Sequence, residues 1–206
     1  MKTTIYDSRY DSKDHYWPFR PSSMLYRALE FLPAADKGLK ALDIGCGEGA
    51  SAVFLARNGF EVTAFDLSPH AIQKTTKFAA RLGLSIKAFV ADVNDFEPDE
   101  SYDLIFSSGT IQYLAPERRK DFAEKLKAST NVNGLNVLHT FVAKPFIGIA
   151  PDAESSEHLW ASGELLNLYH DWRTEAFVEE IKSCDSSGVA HEHAHNRIWS
   201  RRPSNP

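Results

Sequence analysis

The sequence has few of the features that would place a protein in a membrane or outside the cell. Its 206 residues contain no apolar run near the ~20 residues that a transmembrane helix needs. The first residues contain no apolar segment like that of a secretory signal. Its two cysteines, Cys46 and Cys184, are too few for a disulfide framework and are typical of a reducing compartment. We therefore expect a cytoplasmic protein with no membrane partner.

Positive charge is also scarce, because 23 Lys and Arg face 28 Asp and Glu and the formal net charge is -5. No block of Lys and Arg forms the basic patch that nucleic-acid binding requires, so nucleic acid is not predicted as a partner. The length and the hydrophobic content of 43% fit one soluble domain with a full core. The oligomeric state has no indicator in the sequence.

A glycine-rich turn between an apolar strand and a helix is the most informative stretch. The run 39–44 predicts a buried strand, and 51–57 predicts a helix. Between them, Gly45, Gly47 and Gly49 occupy alternate positions. Such a turn lets the backbone and a helix N-terminus approach a nucleotide-like ligand.

The spacing within this turn separates it from two common nucleotide sites. It is G-x-G-x-G rather than the dinucleotide pattern G-x-G-x-x-G, and no Lys-Ser/Thr pair follows as in a P-loop. Asp43 lies two residues before the first glycine, which favours a ligand with positive charge over a pyrophosphate. The segment Leu42–Ala50 resembles motif I of the class I S-adenosylmethionine-dependent methyltransferases.

Two further acids follow predicted strands. Asp66 ends the predicted strand 61–65, at about the spacing from motif I at which a carboxylate accepts ribose hydroxyls. Asp92 follows the predicted strand 85–90. The resemblance implies that Asp92 reaches the adenine amino group and that Val93 packs on the ring, whereas a helix-capping or turn acid is the alternative interpretation of Asp92. The segment Tyr102–Leu114 resembles motif IV of small-molecule methyltransferases.

The order of predicted elements, together with the resemblance, implies an α/β fold. This is a Rossmann-like seven-stranded mixed sheet with helices on both faces and a C-terminal antiparallel hairpin. We predict a turn at 131–134 before a fifth strand at 135–142, and the hairpin at 172–201. Residues 22–206 would form the domain. Residues 1–21, where Pro18 and Pro21 prevent a long helix, would form an N-terminal arm or lid.

A more specific resemblance lies outside the core motifs. The segment Gly163–Leu165 with Tyr169 and Trp172, and the tail from His191 to Pro203, are similar to the tellurite-resistance (TehB-like) methyltransferases. The resemblance implies S-adenosyl-L-methionine as cofactor, S-adenosyl-L-homocysteine as product and a small-molecule acceptor such as a thiol or a metalloid oxyanion. The implied cofactor-binding residues are Arg20 (toward the methionine carboxylate), Asp43, Gly45, Cys46, Gly47, Asp66, Leu67, Asp92, Val93 and Ser107.

The histidines near the C-terminus permit three interpretations. His191, His193 and His195 alternate, so they share one face of a strand. They could bind a metal, act on a substrate or form a solvent-facing polar stripe. We predict no metal, because a row on one strand rarely encloses a tetrahedral ion, and we name His191 and His193 as candidate catalytic residues. His139 is predicted to be a hydrogen-bonded core histidine.

Three other functions stay open at this point. A nicotinamide oxidoreductase would also use Asp66, but it would prefer G-x-G-x-x-G. A cofactor-binding protein without turnover would keep the same motifs. A methyltransferase acting on a protein or RNA would need a basic or grooved surface. Nucleobase methylation is disfavoured, because the fourth strand lacks an Asn/Asp-Pro-Pro-Tyr/Phe ending and no Pro-Cys pair occurs.

Overall fold

The computed structural model describes residues 5–34, 38–151, 153–154, 157–185 and 188–204. Its centre is one seven-stranded sheet with the order β3-β2-β1-β4-β5-β7-β6. β7 is antiparallel to both of its neighbours, and the other pairings are parallel. This is the predicted mixed sheet with its closing antiparallel hairpin. The strands are β1 (Lys40–Ile44), β2 (Glu61–Asp66), β3 (Ile86–Val90), β4 (Tyr102–Ser108), β5 (Thr130–Val142), β6 (Arg173–Cys184) and β7 (His191–Arg201).

Helices cover both faces of the sheet, each over its own apolar core. Two of these helices begin with a serine cap, since the Ser22 and Ser68 hydroxyls accept hydrogen bonds from backbone amides in the first turn. None of the described helices has the length and apolarity to cross a membrane. The helices are α1 (Ile5–Tyr10), α2 (Ser23–Phe31), α3 (Ala50–Arg57), α4 (Pro69–Arg81), α5 (Arg119–Ala128), which follows a 3-10 turn at Pro116–Arg118, and α6 (Glu164–Leu168).

The topology gathers the predicted site residues at one edge of the sheet. The carboxyl ends of the parallel strands β1 to β5 meet there. Because β7 runs antiparallel and Val142 pairs with Ala194, the first residues of β7 lie at that same edge. The glycine turn and the histidines of β7 are therefore on one side of the molecule.

The predicted turn at 131–134 is wrong as a separate element, because β5 runs through it. The pairing with β4 shifts between Thr130, opposite Tyr102, and Leu135, opposite Leu104, so the intervening residues bulge outward. Asn133 has a φ of 65°, a conformation that Asn tolerates better than most residues. The Asn133 amide donates to the Arg202 carbonyl, so this amide has a backbone hydrogen-bond partner outside β4.

Candidate functional site

The glycine turn has a backbone that residues with side chains rarely adopt. Gly45 and Gly47 have φ values of 69° and 53°. A Cβ on Gly45 would lie 1.9 Å from the Thr110 Oγ1 atom, in the loop after β4. A Cβ on Gly47 would lie 3.3 Å from the Tyr10 hydroxyl, in α1. Two chain segments therefore approach the turn too closely for side chains at these two positions.

Asp43 lies beneath this turn with a carboxylate that is only partly satisfied. The residue is 1% exposed, and its Oδ2 atom has no hydrogen-bond partner among the described residues. Burial, with a smaller contribution from the charge of Asp66, raises the pKa of Asp43 to about 7. A buried oxygen without a partner is rare in folded proteins, and it indicates room for a hydrogen-bond donor from a ligand.

Asp66 is fixed at the end of β2 by two backbone amides. Its Oδ2 atom accepts the Gly47 amide and its Oδ1 atom accepts the Ser68 amide, both at 2.9 Å. The Leu67 amide also acts on this carboxylate, whose two oxygens have about four acceptor positions and can therefore still accept a hydroxyl donor. Burial raises the pKa of this carboxyl as well. The partly buried Leu67 follows directly, and the amides of Gly45 and Cys46 donate to the Phe65 carbonyl.

The Cys46 side chain points into the protein. The residue is buried, and burial raises the pKa of its thiol well above the ordinary value, with the nearby charges of Asp43 and Asp66 adding to the effect. The thiol is therefore protonated and unreactive at neutral pH. A contribution of Cys46 to ligand binding would come from its backbone.

Asp92 organises the loop after β3. Its Oδ1 atom accepts the backbone amide of Asn94 at 2.9 Å and the Asn94 side-chain amide at 3.0 Å. The Asn94 side chain also donates to the Tyr113 carbonyl, which joins this loop to the one after β4. Val93, only 6% exposed, packs into the core. Asp92 is thus part of a turn at the end of β3 that the Asn94 hydrogen bonds hold in place.

The Ser107 side chain points away from the face of the sheet that carries Asp43. The residue is fully buried, and its hydroxyl donates to the Ile44 carbonyl at 3.2 Å. Its neighbour Ser108 lies on the opposite face of β4, which is the face that carries Asp43. A ligand contact of Ser107 would be made by its backbone.

The N-terminal arm lies across the glycine turn and is held there by Glu48, which the sequence analysis did not single out. Glu48 is 5% exposed. Its Oε2 atom accepts the amides of Tyr16 at 2.9 Å and Trp17 at 3.2 Å. Its Oε1 atom accepts the Lys74 ammonium at 2.7 Å, and Lys74 also donates to the Asp14 carbonyl. The sequence feature that could have indicated this contact is an acidic residue between two glycines of the turn.

The first helix of the arm adds a third acid to the site. Burial raises the pKa of Tyr10, and the nearby charge of Asp66 raises it further, so the hydroxyl stays protonated. The Oδ1 atom of Asp7 is buried and has no partner among the described residues, and its charge adds to the raised pKa of Asp66. Arg20 is exposed, with its amide donating to the Pro18 carbonyl. Asp7, Asp43 and Asp66 therefore bring three carboxyl groups together near the turn.

A row of imidazoles leads away from the end of β4 on the face that carries Asp43. The Ser108 Oγ atom is 3.5 Å from the His139 Nδ1 atom. The His139 Nε2 atom is 2.7 Å from the His195 Nδ1 atom. Burial is the main cause that lowers the pKa of His139 to about 3 and that of His195 to about 4. Both rings are neutral at neutral pH and resist protonation, so this pair can accept a hydrogen bond. His139 is hydrogen-bonded in the core, as predicted.

The row continues along β7 to the hairpin. The ring centroids of Phe141 and His193 are 4.8 Å apart, and those of His193 and His191 are 4.6 Å apart. The prediction that His191, His193 and His195 share a face is confirmed by these contacts and by the His193–His195 centroid distance of 6.1 Å. We call His139, His195, His193 and His191 the imidazole row.

Comparison with known proteins identifies the family. A family model described as tellurite resistance protein TehB matches residues 25–198, which is well over half of the chain. The chain belongs to the TehB family. A TehB relative from Haemophilus influenzae, named a probable S-adenosyl-L-methionine-dependent methyltransferase, is 29% identical over 152 residues, covering 72% of this chain and 52% of the relative. The chain thus spans about half the length of the curated TehB relatives that it matches.

The chain is also similar to another methyltransferase in sequence and to a solved TehB in structure. A ubiquinone biosynthesis O-methyltransferase from Rickettsia prowazekii is 32% identical over 102 residues, covering 50% of this chain and 40% of that protein. The crystal structure of TehB from Haemophilus influenzae superposes with a TM-score of 0.76 at 23% identity, covering 96% of this chain and 65% of that one. This likeness confirms the predicted fold, and the family match confirms the predicted TehB resemblance.

Proposed function

We propose that this chain is an S-adenosylmethionine-dependent methyltransferase that acts on a small molecule. The observation that carries the proposal is the buried Oδ2 atom of Asp43, which has no hydrogen-bond partner among the described residues and lies near the acids Asp66 and Asp7. Such a site attracts a cation and hydroxyl donors, and S-adenosylmethionine carries a sulfonium, an ammonium and ribose hydroxyls. A dinucleotide pyrophosphate would be repelled. TehB family membership supports the same function.

The donors and acceptors present fit this cofactor. Asp43 would face the cationic methionine part, and Asp66 would accept the ribose hydroxyls through its remaining lone pairs. Asp92 and Val93 would meet the adenine. Arg20 would turn toward the methionine carboxylate. The remaining contacts would come from the backbone of Gly45, Cys46, Gly47, Leu67 and Ser107.

The protein's part in the reaction is alignment and exclusion of water. Bound S-adenosylmethionine supplies a methyl group already activated for in-line displacement. Residues 1–21 would act as a lid, and for the described part of that segment the Glu48 bonds to Tyr16 and Trp17 are the supporting contacts. Residues 22–206 would form the methyltransferase domain, in the cytoplasm.

We place the acceptor beside Ser108 and the neutral pair His139 and His195. Because their pKa values of about 3 and about 4 make these imidazoles weak bases, they would orient the acceptor through hydrogen bonds, and a thiolate or reduced metalloid needs little base help. A thiol or a metalloid oxyanion is therefore the proposed substrate class. His191 and His193, the predicted catalytic residues, lie farther along the imidazole row, and a role for them in transfer stays a prediction.

Calorimetric titration with S-adenosylmethionine and with S-adenosylhomocysteine tests the cofactor assignment. We expect micromolar binding of both, followed by methyl transfer in a panel of thiol, selenite, tellurite and phenol acceptors. Binding of neither ligand by folded protein would reject the proposal, and dinucleotide binding would then support the oxidoreductase. Cofactor binding without transfer to any acceptor would support a binding-only protein.

A further inference from the structure

The tip of the β6–β7 hairpin brings together three side chains that commonly bind metals. We propose that Cys184, His191 and His193 form a site for a borderline-soft transition-metal ion of the Zn²⁺ class. One ligand atom from each residue lies within 4.8 Å of the other two. Cys184 pairs with His191 in the hairpin, so their side chains share a face, and His193 is the next residue on that face.

The hydrogen bond of His191 already orients it as a metal ligand. Its Nδ1 atom is 2.7 Å from the Val189 carbonyl oxygen, and a carbonyl can only accept, so Nδ1 carries the proton. The lone pair is then on Nε2, which lies 2.8 Å from the His193 Nε2 atom. Metal-binding histidines are commonly fixed by this kind of bond from the second ring nitrogen. A bound ion would take the place of the proton between the two Nε2 atoms, and that proton would move to the Nδ1 atom of His193.

The donor set selects the class of metal. One thiolate and two imidazoles suit Zn²⁺, which binds sulfur at ~2.3 Å and nitrogen at ~2.0 Å. These bond lengths require the sulfur and nitrogen atoms to converge by roughly 1 Å, which side-chain rotation on neighbouring strands can supply. Binding forms a Zn–S bond as the Cys184 thiol releases its proton to solvent. Three protein ligands leave a fourth position for water or a soft exogenous ligand.

The prediction of no metal rested on the histidines of a single strand. The row on β7 alone cannot surround an ion, but β6 contributes Cys184 from the side. The site extends past the end of β5, whose last residue, Val142, pairs with Ala194. Metal binding therefore does not rest on the methyltransferase proposal, and it can be measured without cofactor or turnover.

The test is titration of the full chain with Zn²⁺ and with Co²⁺, under a non-thiol reductant. We expect one ion per chain and a thiolate-to-Co²⁺ absorption band. Cys184→Ser and His193→Gln should each weaken binding by at least about 100-fold, the upper range for losing a supporting contact. His170→Gln is the matched control, because His170 is exposed and also has its Nδ1 atom near a backbone carbonyl, that of Asn167, at 2.9 Å. It should leave the affinity unchanged.

A second readout follows the thiol directly. Zn²⁺ should slow alkylation of Cys184 measured by peptide mapping, and the buried Cys46 serves as the internal reference. Absence of stoichiometric binding, a Co²⁺ spectrum without a thiolate band, or unchanged affinity in Cys184→Ser would overturn the proposal. Thermal unfolding establishes whether each variant is folded. If Cys184→Ser does not fold, the metal affinity of His193→Gln decides whether the proposal stands.

Discussion

The Glu48 carboxylate accepts the backbone amide of Tyr16 at 2.9 Å, and this bond joins the glycine turn to the N-terminal arm. Glu48 lies between Gly47 and Gly49, so the glycine turn itself holds the segment that lies across it. Lys74 of α4 neutralises the buried carboxylate. The arm and the turn therefore form one structural unit.

Replacing Glu48 with Gln should loosen the arm. The variant removes the charge on which Lys74 and the two arm amides converge, and hydrogen bonds to a charged group contribute ~1.5–3 kcal/mol. We expect trypsin to cleave after Lys13 roughly 10- to 100-fold faster, with weaker S-adenosylmethionine binding. The exposed Glu117→Gln is the matched control. Cleavage at the wild-type rate would show that Glu48 does not anchor the arm.

The parts of this site that sequence predicts are those encoded locally. The glycine turn, with Asp43 before it and Asp66 at the next strand end, follows from the order of residues and from strand ends meeting at one edge. The arm partners of Glu48, Tyr16 and Trp17, lie about 30 positions earlier in the chain, so no local pattern indicates them. These contacts depend on how the N-terminal arm packs against the glycine turn.

Two other features depend on strand register, which sequence did not specify. Alternation shows that Ser107 and Ser108 face opposite ways, but only the packed sheet shows that Ser107 is the one turned inward. Likewise, Cys184 joins the histidines only because it pairs with His191. The bulge in β5 was missed because its bonds go to Arg202, at the distant end of the chain.

Replacing Asp66 with Asn should weaken cofactor binding by at least tenfold, about the value of one charged hydrogen bond. The Asn side chain can still accept one of the two amides that now hold the carboxylate, so the fold should persist. Calorimetry measures the affinity, and thermal unfolding checks the fold. Asp99→Asn, at an exposed carboxylate paired with Lys87, should bind as wild type. Undiminished affinity in Asp66→Asn would remove this acid from the site.

Asp43 should make cofactor binding pH-dependent. Its pKa of about 7 means that the carboxyl is largely protonated below neutrality, and a bound cation lowers that pKa by favouring the charged form. Affinity should thus rise with pH, by up to about tenfold per unit below pH 7, and level off above it. Asp43→Asn should abolish the slope and Asp99→Asn should keep it. A slope that persists in Asp43→Asn would assign it to another group.

The buried pair His139 and His195 should make the fold sensitive to acid. Their pKa values of about 3 and about 4 lie below the unfolded value near 6.5, so the unfolded chain binds more protons as the pH falls. The stability that depends on neutral rings is complete above pH ~6.5 and is lost toward pH 4, by up to ~1.4 kcal/mol per pH unit for each imidazole.

Urea unfolding between pH 7 and pH 5 measures this loss. His195→Gln removes one titrating ring and keeps a side chain that can hydrogen-bond to His139. The slope of unfolding free energy against pH should therefore fall by about the contribution of one bound proton. His170→Gln removes an exposed imidazole and should leave the slope as it is. An unchanged slope in His195→Gln would mean that His195 is not held neutral by burial, and the pair could then not serve as a neutral hydrogen-bond acceptor beside Ser108.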